Sequence, residues 1–252
     1  MTTAILSAFA QEQTGLIELL ERPERVQRAG RYFWRGHLQG QPVVLALSKL
    51  GKVAAATTAT TVIEAFGAKQ LVFTGVAGGV GPGVQVGDVV LATDFVQHDM
   101  DCSPLFPRYE IPLYGQSRFA CDAALNAHLL IAAQQALVGL GADFDAQLHA
   151  DLPRVHQGLI ASGDRFVSSA TEVAALVQGL TQAGHPPLAV EMEGAAVAQV
   201  CHDYGVPFAA VRTISDRADD SAHVDFNAFV RDTASRYAVG IVLGFLDGIP
   251  TA

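Results

Sequence analysis

Cysteine is scarce in this 252-residue chain. There are three, Cys102, Cys121 and Cys201, an odd number with no Cys-x-x-Cys spacing. That pattern excludes a disulfide framework, argues against a structural zinc site and suits a reducing compartment such as the cytoplasm. Basic residues are also few: 16 Lys and Arg stand against 25 Asp and Glu, a formal charge of −9, with no Lys/Arg cluster. A nucleic-acid groove needs a basic stripe to neutralise phosphates, and an anionic membrane surface attracts basic faces, so neither partner is expected. No apolar run reaches the ~18 residues that a membrane span requires. The short apolar run Ala4 to Phe9 has no basic stretch before it and reads as a buried strand rather than a signal peptide. There is no low-complexity linker and no internal repeat, so one domain over residues 1–252 is expected. Half of the residues are apolar and only 16% are charged, which supports a large core and excludes disorder.

Apolar periodicity alternates between strand and helix along the whole chain. Strands are expected at Thr3–Phe9, Gln70–Phe73, Asp88–Gln97, Arg154–Ala161, Leu188–Met192 and Pro207–Ser215, with a hairpin made by Arg31–Leu38 and Pro42–Ser48. Helices are expected at Gln11–Glu21, Lys52–Phe66, Cys121–Leu140, Ser169–Leu180, Glu193–Tyr204 and Asp225–Leu246. Ser168 or Ser169 is placed to cap the Ser169–Leu180 helix, with Glu172 three residues after Ser169, and Asp225 is placed to cap the last helix. Gly75–Gly83 reads as a Gly-rich turn, and Ser103–Pro112, with its three prolines, as an irregular loop. Such alternation implies an α/β fold: a single-domain mixed β-sheet flanked by helices.

In open α/β sheets ligands sit beyond the carboxyl ends of the strands. The polar residues at those ends are Glu12, Gly75 to Gly79, Ser162-Gly163-Asp164, Glu191-Met192-Glu193 and Ser215-Asp216. A carboxylate beside an apolar run is costly to bury unless it is paired or used, so several together suggest a site. Each also has a plainer reading. Glu12 and Glu193 can be first-turn helix carboxylates favoured by the dipole, with Glu191 a surface partner, and Asp216 can start a turn. Arg212, inside an apolar strand, calls for an anionic partner. The Gly-rich stretch Thr74 to Gly79 matches neither the dinucleotide fingerprint nor the P-loop. His98 to Cys102 holds metal-ligand residue types, but neighbours on a strand face opposite ways, so no metal is expected.

Seven segments occur in order: Ala8-Phe9-Ala10-Gln11-Glu12, Leu50-Gly51-Lys52-Val53-Ala54-Ala55, Thr74-Gly75-Val76-Ala77-Gly78-Gly79, Gly87-Asp88-Val89-Val90, Ser162-Gly163-Asp164-Arg165-Phe166, Val190-Glu191-Met192-Glu193-Gly194-Ala195-Ala196 and Val211-Arg212-Thr213-Ile214-Ser215-Asp216. Together they resemble the 5′-methylthioadenosine/S-adenosylhomocysteine nucleosidases of the nucleoside phosphorylase superfamily. The resemblance implies a nucleoside phosphorylase-like fold, no cofactor and no metal, a nucleoside substrate with water as co-substrate, and a cytoplasmic homodimer. It implies that Glu12 activates the attacking water, that Arg212 helps hold that water and the acidic cluster, and that Asp216, positioned by Ser215, acts at adenine N7. Glu193 and the Met192 backbone would take the ribose 3′- and 2′-hydroxyls, against Ala77 and Gly78. Phe166 would stack on adenine and the Val167 backbone would read its edge. Phe9, Leu50 and Phe226 would line the base and 5′ regions, with Cys102 and Leu105 supplied by a second subunit.

The chemistry suits these residue types. An N-glycosidic bond breaks through an oxocarbenium-like state. Adenine leaves poorly as an anion, so N7 must gain a proton from an acid that burial keeps protonated, here Asp216. The base must stay ionised, and Arg212 nearby would favour that. Val76 departs from the family, which places a small hydroxyl residue there. A phosphorylase would need cationic groups where Ala10-Gln11-Glu12 and Phe73-Thr74 stand, and Glu12 would repel phosphate. Other rivals are hydrolysis of futalosine, adenosine or adenosine monophosphate, and a nucleoside-binding protein without catalysis.

Overall fold

The structure is a computed structural model that describes residues 1–141, 152–219, 222, 226, 229 and 233–249. Its strands are β1 (Thr3–Ser7), β2 (Glu21–Arg28), β3 (Arg31–Leu38), β4 (Gln41–Leu47), β5 (Gln70–Gly79), β6 (Val89–Gln97), β7 (Arg118–Ala120), β8 (Val155–Ser162), β9 (Pro187–Glu191) and β10 (Phe208–Asp216). The helices are α1 (Ala10–Glu18), α2 (Lys52–Glu64), α3 (Ala123–Gly141), α4 (Ala170–Gln182), α5 (Gly194–Tyr204) and α6 (Ala234–Gly248). The expected mixed α/β architecture is present.

All ten strands join one mixed sheet in the order β10-β6-β8-β9-β5-β1-β4-β3-β2, with β7 beside β6. A further pairing of β10 with β5 closes β5, β10, β6, β8 and β9 into a ring. β1 shows why the central strands are apolar throughout. Ala4 and Leu6 face one core cluster and Ile5 the other, so both faces are buried. Apolar residues of α2 and α5 fill the first cluster; those of α1, α3 and α6 fill the second.

Three readings of the sequence need correction. Gly75–Gly79 is the second half of β5, not a turn: Gly75 pairs with Arg212, and Gly78 with Asp216 and Val190. The glycines serve close approach rather than a bend, because a Cβ at Gly78 would come within 2.8 Å of Ala218 Cβ and 3.0 Å of Asp216 Oδ1. Glu21 belongs to β2, an edge strand whose largely exposed Glu-Arg-Pro-Glu-Arg-Val-Gln-Arg sequence carries no apolar alternation to betray it. Charge and proline are suited to an edge that must not recruit another strand. His98–Cys102 lies past the end of β6 in a turn and irregular chain, so the strand argument used for it does not hold there. The closing helix is described from Ala234, and Asp225 falls outside the described residues.

Candidate active site

The carboxyl end of β1 leads into α1 with Phe9 at the N-cap. Glu12, three residues later, turns back so that its Oε2 accepts the backbone N–H groups of Ala8 at 2.9 Å and Phe9 at 3.0 Å. This is the carboxylate half of a capping box, and it fixes the side chain inward. Glu12 is 1% exposed, and its Oε1 is buried without a hydrogen-bond partner among the described residues. Burial pushes the Glu12 pKa up to about 7, against the lowering pull of the Phe9 N–H, Arg212 and the N–H groups of Ala8 and Val76. The arginine therefore does not keep this carboxyl in the ordinary range, because the loss of hydration outweighs it.

Arg212 on β10 lies beside Gly75 of β5. A methyl group at Gly75 would sit 3.5 Å from Arg212 Cζ and 3.5 Å from Glu12 Oε1, so both side chains converge where Gly75 leaves room. The guanidinium donates to Glu191 Oε2 at 2.8 Å, to the Phe73 carbonyl at 3.0 Å and to the Val211 carbonyl at 3.1 Å. It also stacks 4.1 Å from the Phe73 ring centroid.

Glu191 is the residue that sequence reasoning undervalued. It is no surface partner: its side chain and that of Arg212 are each 2% exposed. Its oxygens also accept the Ser162 hydroxyl and the backbone N–H groups of Glu193 and Gly194 at the start of α5. A buried ion pair is tolerable only when its remaining valences are met, as they are here. The signal in the sequence was that Glu191 and Arg212 are each a charge on an apolar strand; that they answer each other is visible only in the fold.

Glu193 is buried, and its Oε1 accepts the Gly51 N–H at 2.7 Å. Burial, and then the Glu191 charge, pushes its pKa up to about 8. Asp216, at the end of β10, accepts the Ser215 hydroxyl on Oδ2 at 2.8 Å and the Ala218 N–H on Oδ1 at 2.7 Å.

Between these groups lies a cavity of about 400 Å³. Its walls include Phe9, Leu50, Ala77, Gly78, Phe166, Val167, Met192, Glu193, Ser215, Asp216 and Phe226, all named from sequence. Phe226 meets Phe9 edge-on at 5.2 Å and Phe166 at 5.8 Å. Val76 is also on the wall, as are Ala8, Val190, Glu191 and Arg165, which the sequence reading did not assign. Arg165 is the cation on this wall, although its side chain is 71% exposed and its Nε donates to Glu172 at 2.8 Å. Glu12 and Arg212 are not on this wall: Glu12 lines a separate cavity of about 10 Å³ that shares Val76 with the larger one, and Arg212 packs against Gly75. Cys102 and Leu105 do not line the cavity, and Leu105 is 84% exposed.

A mixed sheet with converging buried carboxylates at its strand ends and a largely apolar cavity of nucleoside size defines a class. The family model of the phosphorylase superfamily matches residues 2–247. A 5′-methylthioadenosine/S-adenosylhomocysteine nucleosidase of Chromohalobacter salexigens is 37% identical over 94% of this chain and 93% of its own length. The crystal structure of the Neisseria meningitidis enzyme of that name, in complex with methylthio-immucillin-A, is 36% identical. It superposes with a TM-score of 0.84, covering 98% of this chain and 99% of that one. A Helicobacter pylori futalosine hydrolase superposes with a TM-score of 0.82 at 32% identity, covering 99% and 98%. The chain belongs to the phosphorylase superfamily, in the branch of the 5′-methylthioadenosine/S-adenosylhomocysteine nucleosidases.

Proposed function

We propose that this protein is an N-ribosyl hydrolase that releases adenine from 5′-methylthioadenosine, S-adenosylhomocysteine or both. The observation that carries this reading is Glu12: a buried carboxyl with one oxygen anchored by two N–H groups and the other without a well-formed hydrogen bond among the described residues, where a phosphorylase would need a cation. Glu12 Oε1 orients water and takes its proton as the water attacks the anomeric carbon. Arg212 acts through the acidic cluster, holding Glu191 rather than Glu12. Glu193 accepts the ribose 3′-hydroxyl, and the Met192 backbone the 2′-hydroxyl, with Ala77 and Gly78 leaving the sugar room to approach. Asp216, its plane set by Ser215 and the Ala218 N–H, gives a proton to adenine N7 while Phe166 stacks on the base and the Val167 backbone reads its edge. The departing adenine takes the electron pair of the glycosidic bond, and the sugar gains the hydroxyl. The site uses no cofactor and no metal. Glu191, Glu193 and Asp216 on the walls disfavour a 5′-phosphate, while Phe9, Leu50 and Phe226 favour a thioether.

The protein works as one domain and as a homodimer in the cytoplasm, where it serves nucleoside breakdown and methionine salvage. Cys102 and Leu105 of one subunit complete the 5′ pocket of the other. The futalosine hydrolase likeness makes futalosine the second reading, and Arg165 on the cavity wall is the cation that an anionic 5′ group would use. A panel of methylthioadenosine, S-adenosylhomocysteine, adenosine, futalosine and adenosine monophosphate, followed by adenine or hypoxanthine release in phosphate-free buffer, tests both. We expect the two thioethers to be cleaved best, adenosine more slowly and the monophosphate hardly at all. Strict dependence on added phosphate, or preference for the monophosphate, would overturn the assignment.

A further inference from the structure

Three charged residues that the mechanism does not use close a ring of hydrogen bonds beside the cavity. Lys52 Nζ donates to Asp99 Oδ1 at 2.6 Å, and the Asp164 N–H donates to Asp99 Oδ2 at 2.9 Å. The Lys52 N–H donates to Asp164 Oδ1 at 2.7 Å. Lys52 Nζ reaches Gln97 Oε1 as well, at 2.9 Å. The ring ties the start of α2 to the turns that follow β6 and β8.

Each tied segment touches the site. Gly51, at the N-cap of α2, sends its N–H to Glu193, and Leu50 before it lines the cavity. Phe166 and Val167, just after Asp164, line it too. Gly51 has φ +86°, and a Cβ there would lie 3.0 Å from Asp164 Oδ1. No side chain of the α2 N-cap serves that helix end. Asp164 caps it from another loop, where the helix dipole also favours a carboxylate.

We propose that Lys52, Asp99 and Asp164 are positioning residues for the ribose subsite: they hold the Gly51 N–H against Glu193 and thereby fix the carboxylate that takes the sugar hydroxyl. This rests on the reading of Glu193 as the ribose acceptor. Lys52 and Asp99 are 15% and 32% exposed, and ion pairs so close to solvent contribute little to stability. Their worth lies in geometry, since a small misplacement of a substrate-holding group costs far more in rate than in folding. The Glu193 carboxylate faces Glu191 and Glu12, which oppose its charge, and Arg212 and the Gly51 N–H, which favour it. Loosening the Gly51 N–H leaves the two acids less opposed.

The test uses Asp99→Asn, Lys52→Met, their double variant and Lys52→Arg in the full chain. kcat/KM is measured against pH for methylthioadenosine and its 3′-deoxy analogue, alongside Tm. We expect each of the first two to lose about tenfold on methylthioadenosine. Discrimination against the 3′-deoxy analogue should shrink by a similar factor, and the rising limb of the pH profile should move to higher pH. The double variant should be no worse than the worse single one, Lys52→Arg should recover most of the loss, and Tm should stay within a few degrees. Unchanged rates in the variants, or lower rates with the discrimination ratio intact, overturn the positioning role while leaving the function standing. Absence of adenine release by the unmodified protein overturns the function itself, and equal cleavage of both nucleosides by it overturns the Glu193 assignment and this inference together.

Discussion

Glu12 and Asp216 mark the two ends of the proton path, and their surroundings differ in kind. Glu12 has one anchored oxygen and one without a well-formed hydrogen bond among the described residues, whereas both oxygens of Asp216 accept hydrogen bonds. We expect Glu12→Gln and Asp216→Asn each to fold and to lose about 10²–10⁴-fold in kcat, the range of a positioned acid or base. Retention of a tenth of the original kcat by either would remove its role. With Glu12 near 7 and Glu193 near 8, and both needed as carboxylates, kcat/KM should rise from pH 6 to pH 8. A flat profile over that range would contradict it. Stability has the opposite sign. A carboxyl whose pKa is raised in the fold binds its proton more tightly there than in the unfolded chain. Its favourable contribution is therefore complete below about pH 4.5 and is lost as pH climbs through about 7. Glu12→Gln should thus be more stable than the original protein at pH 8, with a much smaller difference at pH 5, read by denaturant unfolding. A variant less stable than the original at pH 8 would contradict it. Residue types at strand ends made Glu12, Glu193 and Asp216 candidates in sequence, and a cation inside an apolar strand did the same for Arg212. Partners were not: which acid Arg212 would choose depends on how β9 and β10 are brought together, and no local pattern encodes that.

At the scale of elements, α5 begins where the site is most crowded. Gly194 opens the helix, its N–H bonds Glu191, and Phe95 of β6 lies directly against it: a Cβ there would fall 2.1 Å from Phe95 Cε1. Phe95 is fully buried and cannot withdraw. Alanine would gain up to ~1 kcal/mol in helix propensity. Overpacking of this severity costs ~1–3 kcal/mol or more, so the clash wins. Gly194→Ala should lower the denaturation midpoint and also weaken activity by tilting Glu191 and Glu193; a variant as stable as the original would refute this. The elements read best from sequence were those with strong local signals: the β3–β4 hairpin, α2 with its alanines, and α4, whose Ser169 hydroxyl accepts the Glu172 N–H as the cap pattern requires. β5 was read only as far as Phe73 because five residues containing three glycines look like a turn in isolation. They extend as a strand because β10 on one side and β9 on the other supply hydrogen-bond partners. That information is tertiary, as is the pairing that makes polar β2 an edge strand.

At the scale of the molecule, exposed apolar side chains border the cavity. Leu50, in the cavity wall, is 54% exposed, and Val53 is 80% exposed. The Lys52–Asp99 pair draws this segment to the turn after β6, and the chain from that turn runs on through half-buried Cys102 to Leu105 and Leu113, which are 84% and 92% exposed. Single exposed leucines are ordinary, but several on tied and consecutive segments beside a substrate cavity suit a surface that another subunit covers. A 5′-alkylthio group emerging past Phe9 and Phe226 would meet water in a lone subunit and apolar side chains in a dimer. The net charge of −9 does not favour random self-association, so a dimer must rest on this apolar face. We therefore expect a homodimer at micromolar concentration by sedimentation. Leu105→Asp should shift it toward monomer by placing an unpaired charge in the interface, where burial without a partner is costly. The same change should raise KM for methylthioadenosine more than for adenosine, which has no alkylthio group to lose contact. A monomeric original protein with full activity would refute the shared pocket. So would a Leu105→Asp variant that dissociates yet keeps its preference for the thioether.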